Sequence, residues 1–193
     1  VFELLTSSRK TARQRILEVA CDLFYHKGIR SVGVDTIVEK SGVGKATLYR
    51  HFPTKDDLIA AYLEEWEKHD WTQFDEKIAK YEGSPKEQLL AFIDTITNTM
   101  KDPGYRGCAF LNALAEFPEE SHCVKRLTVE YNCSLRLRLN RLTQQAGAQD
   151  ENLTDQLMLV ITGALSLAHA LGSAGPASQL KALATHLIDL QVA

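Results

Sequence analysis

Gly42-Val43-Gly44-Lys45-Ala46-Thr47-Leu48-Tyr49-Arg50-His51-Phe52-Pro53-Thr54-Lys55-Asp56-Asp57-Leu58 is punctuated at both ends. The glycines at 42 and 44 make a tight turn, and Pro53 stops a helix. Thr54, followed three residues later by Asp57, has the form of a capping box that opens the next helix. Between turn and stop, Leu48 and Phe52 stand four apart on one helical face, turned inward with Ile37 of the preceding segment. The spacing predicts short helices over 34–41 and 45–52. A long helix then runs from 54 to about 71, carrying Leu58, Ile59, Tyr62, Leu63 and Trp66 at helical intervals. Two short helices joined by a glycine turn form a helix-turn-helix.

With Leu48 and Phe52 inside, Lys45, Ala46, Tyr49 and Arg50 fall on the opposite side of the second short helix. A helix entering a DNA major groove needs this mixture of small residues, cations and a phosphate-binding phenol. Arg50 has the fork to meet guanine O6 and N7, and Ala46 suits a thymine methyl. Upstream, Ile16, Ala20, Leu23 and Phe24 recur at three and four. Lys27-Gly28 is a helix stop and Ser8 an N-cap, so a first helix is expected over 9–27. Residues 1–58 hold ten basic and seven acidic side chains, a balance of +3, whereas the remainder carries −6. A basic head on an acidic body suits a nucleic-acid reader with a second module.

Residues 42–58, with Ile16-Leu17, Ala20, Leu23-Phe24, Gly28 and Val34-Asp35-Thr36-Ile37, strongly resemble the DNA-binding signature of the TetR family of bacterial regulators. The likeness covers roughly residues 9–63. It implies an all-α homodimer: a three-helix helix-turn-helix domain over 1–55 and a helical effector-binding and dimerisation domain over 56–193. Lys45, Ala46, Thr47 and Arg50 fall where the family's recognition helix meets the groove and its edges. Tyr49, His51 and Lys55 fall at phosphate contacts, and Thr36 and Gly44 complete the DNA-facing set. Three positions depart from the pattern. Gly44 stands where many members have Ser, Ala46 where many have Gly, and Val32-Gly33 replaces hydroxyl residues. Asp35, near the DNA-facing start of its helix, reads either as a favourable charge at a helix N-terminus or as an acceptor for cytosine N4.

Beyond the head, Ser84-Pro85 opens a helix over 85–100, with Ser84 as cap and Pro85 at the first helical position. Arg106-Gly107-Cys108-Ala109-Phe110-Leu111-Asn112 resembles a segment of one subgroup of TetR regulatory domains. Helices are expected over 119–145, 152–171 and 177–191. Ligand sites are mainly apolar with a few placed polar groups. The candidates for holding a small apolar or amphipathic effector are Phe92, Ile96, Met100, Phe110, Leu114 and Phe117. Trp66 and Tyr105 are available for stacking, Asn112 and Glu116 for a polar group. The last two helices are the expected dimer interface. Gly163, Ala164 and Ala170 permit close approach, and Leu167, Leu180, Leu183 and Leu187 supply the apolar contact.

Several classes are excluded. With 45% hydrophobic and 24% charged residues, the chain is too apolar to be disordered. Residues 156–180 lack Asp, Glu, Lys and Arg, but Thr162, Gly163, Ser166, His169 and Gly172 interrupt them, so a buried helix is expected rather than a membrane span. No signal peptide is read, and Cys21, Cys108, Cys123 and Cys133 are expected to be reduced, buried thiols of a cytoplasmic protein. No metal-ligand spacing, phosphate loop or nucleophile elbow occurs, so neither a cofactor nor an enzyme is expected. The expected partners are a double-stranded DNA operator, a small effector and a second copy, with the protein most simply a repressor released by its effector. A helical sensor whose DNA-binding head is vestigial is the other class, and a steep fall of DNA affinity with salt separates the two.

Overall fold

The computed structural model describes residues 10–150 and 152–192, and these form helices and turns throughout. α1 (Ala12–Lys27) starts at a reciprocal capping box. Thr11 Oγ1 accepts from the Gln14 N–H at 3.2 Å, and Gln14 Oε1 accepts from the Thr11 N–H at 2.8 Å. Ser8 lies outside the described residues. Gly28, at φ 87°, ends α1 by donating its N–H to the Phe24 carbonyl. α2 (Val34–Ser41) closes on Gly42 in the left-handed region, φ 63°, where glycine carries no Cβ penalty. α3 (Lys45–His51) follows, with Gly33 and Gly44 preceding α2 and α3 as N-caps that supply no side-chain bond.

α4 (Lys55–Ile78) opens on the expected box, Asp57 N–H to Thr54 Oγ1 at 3.1 Å and Thr54 N–H to Asp57 Oδ2 at 2.9 Å. It runs seven residues past the expected end at 71, because nothing breaks the helical period before Gly83 and Phe74 is buried. α5 (Pro85–Thr99) has Pro85 in its first turn as expected, but the Ser84 hydroxyl makes no cap bond. α6 (Ala109–Glu116) is followed by α7 (Cys123–Gln145), which starts four residues later than expected. His122 Nδ1 accepts from the Val124 N–H at 3.3 Å and supplies the cap. α8 (Leu153–Leu171) stops at Gly172. The expected last helix divides into a 3-10 turn, Pro176–Gln179, and α9 (Leu180–Asp189).

Packing groups the chain into two units. In the first, made of the described residues to Glu67 together with Ala109–Thr128, α1 packs on α2 and α3. Ile16, Ala20, Leu23, Ile37, Leu48, Phe52, Ile59 and Leu63 are buried, so the inward face read for α3 is the face observed. The Phe24 and Tyr62 rings meet edge to face at 5.6 Å, tying α1 to α4. In the second unit, Lys68–Cys108 with residues from Val129 on, Phe74 stacks on Phe92 at 4.1 Å. Leu89, Ile93, Leu139, Leu157, Ile161, Ala184 and Ile188 complete that core. Of the cysteines only Cys21 is buried. Cys108 and Cys123 are half-buried and Cys133 is exposed, correcting the expectation of four buried thiols. All four are free.

Candidate nucleic-acid interface

With Leu48 and Phe52 locked inward, the rest of α3 points to solvent. Lys45, Ala46, Tyr49, Arg50 and His51 are exposed, and Thr36 and Thr47 are half-buried beside them. Gly44 has an ordinary extended backbone, φ −62°, and no atom lies within 4 Å of where a Cβ would stand. Neither backbone nor packing therefore demands glycine at 44, and the Ser common there in the resembling family would fit. Arg13 covers the edge of the α3 end, its guanidinium 5.2 Å from the Phe52 ring centroid.

Two charged residues of this face have partners that sequence spacing did not reveal. Lys45 Nζ lies 2.7 Å from Asp35 Oδ1, an exposed ion pair bridging α2 and α3. The Asp35 hydrogen bond and charge raise the Lys45 pKa above its ordinary value. Lys55 does not present a free ammonium to solvent as expected. Its Nζ donates to the Ile29 carbonyl at 2.6 Å and the Val32 carbonyl at 2.8 Å, holding the turn between α1 and α2. Burial pushes its pKa down, against the opposing charges of Glu116 and Asp56.

That turn is clamped from a second side. Glu116, at the end of α6, accepts from the Ile29 N–H at 2.8 Å and the Arg30 N–H at 2.7 Å. Its carboxylate is thus occupied as a backbone anchor, a role distinct from the ligand contact read from sequence. Arg30 lies over the Phe117 ring at 4.8 Å, and Phe117 stacks on His122 at 4.4 Å. His122 Nε2 is 3.5 Å from Asp56 Oδ1. Residues 109–128 are therefore part of the head's own scaffold. Nothing in their sequence announces this, since Glu116 and Ile29 are 87 positions apart.

The other effector candidates divide between the units. Trp66, its ring 4.6 Å from Tyr25, belongs to the first unit, as do buried Phe110 and half-buried Asn112, Leu114 and Phe117. Phe92, Ile96 and Met100 are buried in the core of the second, where Tyr105 donates its hydroxyl to the Leu165 carbonyl at 3.0 Å. A group missed in the sequence also lies in the second unit. Trp71 stacks on Tyr131 at 5.4 Å and carries the Arg138 guanidinium at 4.3 Å, and the Tyr131 hydroxyl donates to Asp70 at 2.8 Å. Among the described residues, no group of three or more His, Cys, Asp or Glu is placed to hold a metal ion.

The α8–α9 surface is apolar on its outer side. Leu159, Leu171 and Leu190 are 75%, 63% and 68% exposed, with Leu167 and Leu183 also exposed and Leu187 half-buried. Gly163 and Ala170 are exposed among them. Ala164 and Leu180, expected at an interface between copies, are instead buried in the protomer's own core. By length and composition alone α8 would reach across a membrane, but its inner stripe of Leu157, Ile161, Ala164 and Ala168 is already covered by protein.

A helix-turn-helix with an outward cationic and phenolic face defines a DNA-binding protein class, and known proteins agree. The family model described as bacterial regulatory proteins, tetR family, matches residues 16–62. Over 49 residues the chain is 45% identical to an HTH-type transcriptional regulator of Staphylococcus aureus (strain USA300). That match spans 25% of this chain and 26% of the relative, about a quarter of its length. The structure superposes on SCO4454, a TetR-family transcriptional regulator from Streptomyces coelicolor, with a TM-score of 0.81 and 32% identity, covering 92% of this chain and 86% of that one. A TetR-type regulator from Streptomyces avermitilis gives a TM-score of 0.77 at 28% identity, covering 94% and 98%. The chain belongs to the TetR family of DNA-binding transcriptional regulators.

Proposed function

We propose that the protein is a repressor that binds a palindromic operator as a homodimer and is released by a small apolar or amphipathic effector. The observation that carries this reading is the α3 face, where Lys45, Ala46, Tyr49, Arg50 and His51 are exposed together on a helix fixed by Leu48 and Phe52. Each protomer places that face in one major groove. Arg50 reads a guanine, Tyr49 and His51 bind phosphate, and Thr36, Gly44 and Thr47 approach the groove edges. Two-fold symmetry sets the half-sites about 34–36 Å apart, or a multiple of that.

The second copy is the occupant we assign to the α8–α9 surface. Soluble monomers rarely leave a contiguous apolar stripe of this kind uncovered, and Gly163 and Ala170 let a partner helix approach closely. The effector is assigned to the helices after the head, with Tyr105 and the Trp71–Tyr131 stack as the aromatic surfaces for a flat molecule. Lys55, at the start of α4, and Glu116, at the end of α6, both hold the α1–α2 turn. A ligand that favours another setting of α4 or α6 therefore changes the head directly. A preference of about 1–3 kcal/mol for that state changes DNA affinity 5–150-fold.

Selection of bound duplexes from a randomised library at near-physiological salt tests the reading. An enriched palindrome whose affinity falls steeply with salt is expected. Weak binding with no enriched sequence, from protein stripped of bound small molecules, would refute it.

A further inference from the structure

The carboxylate of Asp35 is out of character with its surroundings. It is 82% exposed on the side of the head that carries the α3 cations, where it repels phosphate. Its place in the first turn of α2 gives it a favourable but small interaction with the helix N-terminus, and an exposed ion pair adds little to the stability of a fold. Yet it comes from a different helix to meet Lys45 at 2.7 Å. An acceptor and a donor are thus held side by side at one point of the outward face.

We propose that Asp35 and Lys45 act as a single donor–acceptor unit that reads one G·C base pair in each half-site. The inference rests on the DNA-binding reading above and names a specificity device within it. In the major groove a G·C pair presents the guanine N7 and O6 acceptors in a run, with the cytosine N4 amino donor at the other end. Its edge is therefore negative on one side and positive on the other. An ammonium over N7 and O6 with a carboxylate accepting from N4 matches that polarity. An A·T edge places its one donor, N6, between two acceptors, N7 and O4, so a carboxylate there meets lone pairs on both sides. The bridge between α2 and α3 also holds the two groups in register before DNA arrives, and forming the contact does not leave Asp35 facing phosphate unpaired.

Library selection with wild-type protein, Asp35→Ala, Lys45→Ala and the double variant tests the unit. Both groups are exposed, so the variants are expected to keep wild-type circular dichroism and melting. Wild type should prefer G·C at one position per half-site. Each single variant should lower that preference about 10-fold at that same position, and the double variant no further. Asp35→Asn, which keeps one acceptor oxygen, should retain part of it. Asp35→Ala should also steepen the salt dependence by about one unit of slope, because the released Lys45 ammonium turns to phosphate. The proposal is overturned if Asp35→Ala raises affinity for all sequences alike and leaves every base preference intact, or if the position the pair controls is A·T. If wild type enriches no site at all, the regulator reading fails and the base-reading unit fails with it.

Discussion

Replacing Glu116 with Ala removes two hydrogen bonds from a carboxylate to main-chain N–H groups, at 2.8 Å to Ile29 and 2.7 Å to Arg30. Hydrogen bonds to a charged group contribute about 1.5–3 kcal/mol each. Arg30 is exposed, so its N–H recovers water on truncation and the lower end applies. The sum is about 3 kcal/mol, localised on the turn between α1 and α2. If the whole chain unfolds in one step, its melting temperature should fall by about 6–12 °C. Amide hydrogen exchange gives the sharper assay. The Ile29 and Arg30 amides should exchange about 100-fold faster, since every 1.4 kcal/mol is tenfold. The Gln14 amide, bonded to Thr11 in the α1 capping box, serves as an internal reference that should not change beyond the global effect. Glu116→Gln keeps the side-chain shape but only one carbonyl oxygen, and should show about half the loss. Unchanged protection at Ile29 and Arg30 in Glu116→Ala would mean that other groups hold this turn, and would remove α6 from the scaffold of the head.

Four further outcomes follow from the same geometry. Gly28→Ala should cost about 1–3 kcal/mol, measured by denaturant unfolding, because Gly28 sits at φ 87° and a Cβ would stand 3.3 Å from Glu116 Oε1. Lys55→Met should destabilise the head by about 1–3 kcal/mol, since two turn carbonyls lose their donor; equal stability with weaker DNA binding would instead restore it to a phosphate contact. Gly163→Leu should leave the protomer folded, with no atom within 4 Å of the new Cβ, yet shift sedimentation toward monomer. Tyr49→Phe should weaken operator binding uniformly across sequences at unchanged melting temperature, because a phosphate contact carries no base information.

The head was legible in the sequence because its signals are local. A glycine in the left-handed region at 42, a proline at 53 and a Thr54–Asp57 box each act within one turn of chain, and the Leu48–Phe52 interval orients α3 without reference to anything distant. Helix ends set by competing caps were less legible. Thr11 with Gln14 starts the described α1, and His122 delays the start of α7. In both cases a hydrogen bond between neighbours decides which of several capable residues is used.

Spacing establishes that α8 is apolar nearly all round, and for that reason it cannot say which stripe turns inward. Only the packing of α8 on α9 and the 3-10 turn before it, and of α9 on α5, makes Ala164 and Leu180 core and leaves Leu159, Leu171 and Leu190 outside. Charged side chains followed the same division. Residue type made Lys45, Lys55 and Glu116 candidates for contact with DNA or ligand, but a charge takes whichever partner the fold brings within 3 Å. For Lys55 and Glu116 the partners are main-chain groups of a turn up to 87 residues away, and for Lys45 the partner is a carboxylate on the neighbouring helix. Local sequence therefore determined the helices and the outward face of α3. Tertiary structure alone decided which charges remain on that face, because long-range hydrogen bonds have no period to read.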